Sequence, residues 1–184
     1  MPGLLVVLLF LPAGAVAGDI LDASVTHADG RYDLAIRARI DAPSAAVYRA
    51  ISDYSNLAAI NPDIGVSELL GTSAAGVSTV HTVIDVCILL FCKKIEQVQQ
   101  MTHPDAHTIE AVTVPEGSDF RSGVARWQLS SPTAATTELQ FTASYEPDFW
   151  VPPLIGPWLI KRKLVREVTE TAAYIEALQG ADRP

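Results

Sequence analysis

Three kinds of side chain in this 184-residue chain stand where they could do chemistry: one arginine, one pair of cysteines and a few scattered titratable groups. Arg121 shares strand parity with Gly123 and Trp127 in a stretch that reads as a strand over 120–130. An inward guanidinium cannot be left unpaired in an apolar interior. Two kinds of partner fit it. One is a protein carboxylate such as Asp119 or Glu116; the other is the phosphate or carboxylate headgroup of a ligand, gripped by the bidentate geometry arginine favours. Cys87 and Cys92 flank Ile88-Leu89-Leu90-Phe91. If those four residues form a loop, the cysteines face each other at its neck, near the ~5 Å separation a disulfide needs. So small a ring would add ~2 kcal/mol at most; reduced core thiols are the alternative.

The other candidates do not assemble into a reactive set. His27, His81, His103 and His107 lack metal-ligand spacing. His81 and Asp85 share a strand face, but four residues along a strand is about 13 Å, too far for a dyad. Cys92 followed by Lys93 suggests a reactive thiol, yet no partner histidine is implied. Neither a serine-centred elbow nor a phosphate-cradling glycine loop occurs. The expectation therefore leans away from an enzyme, with no catalytic residue, metal or cofactor. A net charge of −8 also argues against nucleic acid as a partner.

The elements that must position these residues follow from periodicity. Residues 24–41 alternate as two strands around Ala28-Asp29-Gly30. Asp41-Ala42-Pro43-Ser44 reads as a helix start, capped by Ser44 or Asp41, and a second helical turn over 54–60 stops at Asn61-Pro62. Strands are expected near 64–71, 77–88, 92–102, 106–114, 120–130 and 135–146. The connections are short enough for an antiparallel meander. A final helix runs from Gly156-Pro157 to Gly180, with Leu154, Trp158, Val165, Val168, Ala172 and Ile175 as its apolar stripe.

The N-terminus carries a separate signal. Leu4 to Leu11 are unbroken apolar residues, and Ala15-Val16-Ala17 is a small-x-small site. A signal peptide over 1–17, cleaved after Ala17, is expected, although its n-region has no Lys or Arg. Eight apolar residues are too few for a retained membrane helix. The expected product is a periplasmic protein with one domain over 18–184, and an oxidising compartment would permit the disulfide.

Ile40-Asp41-Ala42-Pro43, Val47-Tyr48, Ser52-Asp53-Tyr54 and Asn61-Pro62, with Phe120-Arg121-Ser122-Gly123 and Arg126-Trp127, resemble the START-like superfamily, within it the polyketide cyclase and coenzyme Q-binding branch. The resemblance covers residues 32–179. It implies an α+β helix-grip fold: a curved antiparallel sheet wrapped around a long C-terminal helix, with two short helices after the first strand and a hydrophobic cavity between. It also implies an apolar ligand, since proteins of this superfamily hold sterols, phospholipids, quinones or polyketides there.

Given that cavity, parity points Val80, Ile84, Trp127, Leu139, Phe141 and Tyr145 into it, with Arg121 and, from the helix, Trp158. A bulge would flip any such set. Meander topology puts loops 88–91, 115–119 and 147–156 at one end. Ile88, Leu89, Leu90 and Phe91, and Phe149, Trp150, Val151, Leu154 and Ile155, make two of these loops apolar where loops are normally polar. This end reads as a mouth. Either it docks on a membrane, with Lys93, Lys94, Lys161, Arg162 and Lys163 meeting anionic headgroups, or the loops pack on each other as a lid. The leading expectation is a monomeric carrier of a hydrophobic small molecule with peripheral membrane contact. The alternatives are a cyclase or aromatase in which Arg121, Tyr145, Gln97 or Gln99 orients a polyketide, and a protein-binding adaptor with a filled cavity.

Overall fold

The computed structural model describes residues 18–88 and 91–181. The expected leader over 1–17, and Leu89 and Leu90, lie outside the described residues. Eleven elements follow one another: β1 (Asp19–Ala28), β2 (Arg31–Ile40), α1 (Ser44–Ser52), α2 (Leu57–Ile60), β3 (Ile64–Thr72), β4 (Ser78–Ile88), β5 (Phe91–Asp105), β6 (Thr108–Val114), β7 (Phe120–Thr133), β8 (Thr136–Pro147) and α3 (Gly156–Ala181). The strands form one antiparallel sheet in the order β1-β2-β8-β7-β6-β5-β4-β3. This is the expected helix-grip arrangement. Among the described residues no helix is long and apolar enough to cross a membrane.

Local chemistry accounts for the breaks. Asp29 and Gly30, at φ 50° and 79°, make the tight β1–β2 turn, where two consecutive positive φ values suit strand twist. α1 has no side-chain cap, contrary to the expected role of Ser44 or Asp41. The Pro43 carbonyl accepts from Ala46 and Val47 instead, and the Asp41 backbone N–H goes to Glu176 Oε1 at 2.9 Å. β1 begins five residues before the expected strand. A register shift between Ile20 and Asp22 breaks its period, so Ile20, Ala23 and Val25 all reach the core without strict alternation.

α3 is 26 residues, about 39 Å of rod, and packs mainly on β1 and β2. Its buried side is Leu164, Ala172 and Ile175, with Val165 and Val168 beside them. At 100° per residue, Trp158 lies only about 40° around the helix from Ala172, which is fully buried. The expected stripe thus has the right face but fails at its start, ahead of Leu164 where the buried side chains begin: Trp158 is 59% exposed, and Leu154, before the helix, 94%. At the other end Ala172 and Ile175 join Ile40, Ala42, Val47, Leu129 and Leu139 in a tight core. Gly18 closes onto the same place. Gly18 N donates to Glu176 Oε1 at 3.3 Å, and a Cβ at Gly18 would lie 2.5 Å from that of Ala172.

Ile175 is 1% exposed, so Ile175→Ala should lower unfolding free energy by about 2–5 kcal/mol in urea denaturation. A loss below 1 kcal/mol would contradict this packing.

Candidate ligand-binding cavity

Because α3 leans on β1 and β2, the concave face of β4, β5 and β6 is left without a helix against it. A cavity of about 410 Å³ lies there. Alternate residues of β4 and β5 form one wall, among them Val80, Ile84, Ile95 and Met101. Leu139, Phe141 and Tyr145 of β8 and Trp127 of β7 form another, with the Trp127 and Phe141 rings 4.9 Å apart. Val80, Ile84, Trp127, Leu139, Phe141 and Tyr145 thus all stand on the cavity wall, as strand parity placed them. The helical roof and rim (Ile51, Tyr54, Leu57, Ile60 and Leu164) were not read from the sequence, because which faces of α1 and α2 meet the sheet depends on the turns around them.

Arg121 corrects the parity argument. Phe120 pairs with Pro147 and Ser122 with Glu146, so Arg121 is the extra residue of a bulge. The bulge turns Phe120 into the cavity and Arg121 out, where it is 62% exposed. Its partner is a carboxylate, but neither Asp119 nor Glu116: Arg121 Nη2 lies 2.7 Å from Asp148, and Nη1 lies 3.6 Å from Glu146. Asp119 is taken by Lys93 at 3.0 Å. Trp158 likewise stands outside the cavity, in the exposed first turn of α3.

A neutral polar patch of the wall surrounds Tyr145. Gln99 Nε2 donates to the Tyr145 hydroxyl at 3.4 Å, with the Gln97 amide beside it. Burial raises the Tyr145 pKa, and the two amides offset only part of the rise. Gly123 makes room for the ring: a Cβ there would stand 2.4 Å from both Tyr145 Cδ1 and Thr113 Oγ1.

A charged clasp closes the side between α3 and the α2–β3 junction. Lys163 Nζ lies 2.7 Å from Asp63 and 2.7 Å from Glu167, and Arg166 also binds Asp63. Partial burial works against the Asp63 charge, but the two cations outweigh it and hold the carboxyl below its usual range. A second cluster lies at the opposite end from the mouth. Tyr54, on the cavity wall, bonds to His103 Nε2 at 3.0 Å, and Tyr48 bonds to Nδ1 at 2.6 Å. Burial, and to a lesser degree Tyr48, pushes the Tyr54 pKa far up. Among the described residues no group of His, Cys, Asp and Glu could hold a metal ion.

At the expected mouth, segments 115–119 and 147–156 come together beside β5. Asp119 N bonds to Glu96 O and Asp148 N to Asp119 O, both at 2.8 Å. The Phe149 ring meets Phe120 at 5.9 Å and Lys93 at 4.9 Å. Residues alternate around the rim: Pro147, Phe149 and Val151 line the cavity, while Trp150, Leu154, Ile155 and Trp158 face out. Cys87 and Cys92 are bonded and directly paired. The ladder continues to Ile88 and Phe91, so the turn is shorter than the four residues expected. Of the cations expected to meet headgroups, Lys93, Lys94 and Lys163 are already paired, with Asp119, Asp85 and the clasp. Lys161 and Arg162 are exposed, Arg162 lying over the Trp158 ring at 5.7 Å.

A family model described as polyketide cyclase / dehydrase and lipid transport matches residues 32–176. No curated protein matches the chain by sequence. Among solved structures, an aromatase/cyclase from a Streptomyces species superposes with TM-score 0.66 at 15% identity, covering 83% of this chain and 96% of that one. A START superfamily protein from Mycobacterium smegmatis gives 0.66 at 18% identity, covering 79% and 98%. Human STARD10 gives 0.61 at 10% identity, covering 83% and 72%. At these identities the likeness is one of fold.

A lowered carboxyl pKa stabilises the fold above the unfolded value, about 3.9, and loses that contribution as pH falls through the folded value. Asp63→Asn should therefore cost roughly 1–3 kcal/mol at pH 7. Its difference from wild type should shrink below pH ~4 in denaturation curves taken across pH. A gap that stays constant down to pH 2 would show that the clasp contributes no charge-dependent stability.

Proposed function

The chain belongs to the polyketide cyclase / dehydrase and lipid transport family, and on that premise we propose that it is an exported carrier that holds one hydrophobic small molecule and exchanges it at a membrane surface. The observation that carries this reading is the cavity of about 410 Å³ with its largely apolar wall. It falls within the range of roughly 300–1,000 Å³ of small-molecule sites. Export is supported by the leader-like residues 1–17 and by a disulfide on an exposed hairpin. Exchange at a membrane is supported by the outward Trp150, Leu154, Ile155 and Trp158, which flank the rim beside Lys161 and Arg162. Exposed apolar clusters of this kind bind interfaces through buried area, with cations adding attraction to anionic lipid.

A second reading is an aromatase or cyclase on the same frame. It is favoured by Tyr54, a wall hydroxyl bonded to His103. Conversion of a linear polyketide chain by the purified protein, lost in His103→Gln, would select it.

Native mass spectrometry of protein purified from its own host should show a mass increment that organic extraction removes. Sedimentation with anionic liposomes should fall more than tenfold in Trp150→Asp with Leu154→Asp, since each side chain contributes about 1.5–3 kcal/mol when buried. Unchanged sedimentation would remove the membrane step.

A further inference from the structure

We propose that the ligand is uncharged and carries an oxygen acceptor, a ketone, quinone or ester carbonyl, that receives a hydrogen bond from the Tyr145 hydroxyl. This rests on the carrier reading and specifies what the cavity takes.

The charges on the wall exclude a headgroup by their pairing. Lys163 and Glu167 are the only charged side chains on the wall among the described residues, and they are 2.7 Å from each other. Lys163 also holds Asp63, which in turn holds Arg166, and Arg166 reaches Glu170 at 3.9 Å. Two cations thus face three carboxylates. An entering anion meets no spare cation and adds to a local negative excess, while an entering cation meets a Glu167 that is already bonded. The arginine that could have gripped an anionic head is turned outside by the bulge at 121. Desolvating a charge without a partner is costly, so charged ends are rejected.

The neutral patch points the other way. The Tyr145 oxygen receives an N–H from Gln99 at 3.4 Å, with the Gln97 amide close by, and among the described residues the hydroxyl donates to no acceptor. The hydroxyl stays protonated near neutral pH because burial raises its pKa. Gln97 is only 6% exposed, and the hydrogen bond of its side-chain amide to Thr113 Oγ1 is long, 3.5 Å. A polarised donor in an apolar wall is a recognition element: a ligand that satisfies it gains, and one that cannot leaves it unpaired. The patch also fixes orientation. The Tyr145 ring lies 5.2 Å from Phe120, which meets Phe149 at the rim. The acceptor would sit just inside the mouth, with the apolar body running inward toward Phe141 and Trp127. Tyr145 and Phe141 are four residues apart on one strand, a reach of about 13 Å.

The neutral fluorophore N-phenyl-1-naphthylamine, bound to the purified protein at pH 8, can be displaced by three molecules of equal carbon number: 2-undecanone, undecane and undecanoate. The ketone should displace it at a concentration about five- to tenfold lower than the alkane, the worth of one buried hydrogen bond, and undecanoate should be weakest. Tyr145→Phe should erase the ketone's advantage, read as the ratio of alkane to ketone displacing concentrations within the variant, so that a change in the probe's own Kd cancels. Gln99→Leu should reduce it, and keeps the test open if the first variant does not fold. Undecanoate as the best competitor, equal displacement by ketone and alkane, or an advantage that survives Tyr145→Phe would each overturn the proposal. Failure of the wild-type protein to bind the probe and all three competitors would overturn the carrier reading itself, and this proposal with it.

Discussion

One helix is too narrow to cover the sheet it packs on. Eight strands spaced at about 4.8 Å span roughly 34 Å, whereas a helix with its side chains is only about 10–12 Å across. Because α3 settles on β1 and β2, the inner faces of β4 to β6 must be covered by something else or stay open to a cavity. The two short helices cover one flank, and the Lys163–Asp63–Arg166 clasp ties that flank back to α3. The apolar wall, its roof and its rim are all answers to this mismatch of widths.

Within that frame, charge and polarity are sorted by position. Charged groups are paired at the edge of the cavity or turned outward. Neutral groups remain on the inner surface, among them the amides of Gln97 and Gln99 and the Tyr145 hydroxyl. Gly123 is part of the same arrangement, because only a residue without Cβ lets the Tyr145 ring lie across β7. The rim is sorted as well: inward Phe149 and Val151 alternate with outward Trp150, so one short segment presents an apolar surface to both sides.

Strand parity made much of the wall legible. Val80 and Ile84, or Leu139, Phe141 and Tyr145, are separated by even steps on unbroken strands, so their side is a local property. Arg121 was not legible. A single inserted residue reverses everything before it, and nothing in Phe120-Arg121-Ser122 marks the insertion. Trp158 failed for another reason: by angle it shares the face of Ala172, but it stands ahead of Leu164, where the buried side chains begin, and where packing begins is set by tertiary placement. Asp63 with Lys163, and Tyr54 with His103, join positions 100 and 49 residues apart. Pairings of that kind follow from tertiary placement and leave no periodic trace. The cysteine pair was readable as a geometry, but choosing the bond over free thiols needed the register that sets Cys87 directly against Cys92.

The tight core of Ile40, Val47, Leu129, Ala172 and Ile175 lies at the end of the molecule away from the rim, and of its buried members only Leu139 also lines the cavity. Stability and selectivity are therefore housed in largely different residues. A wall side chain that faces open space can change size or polarity with few packed neighbours to disturb, while the far end keeps the sheet and helix joined. Such a frame can drift in what it holds without losing its shape. That suits a fold that this chain shares at 10–18% identity with an aromatase/cyclase, a START superfamily protein and human STARD10.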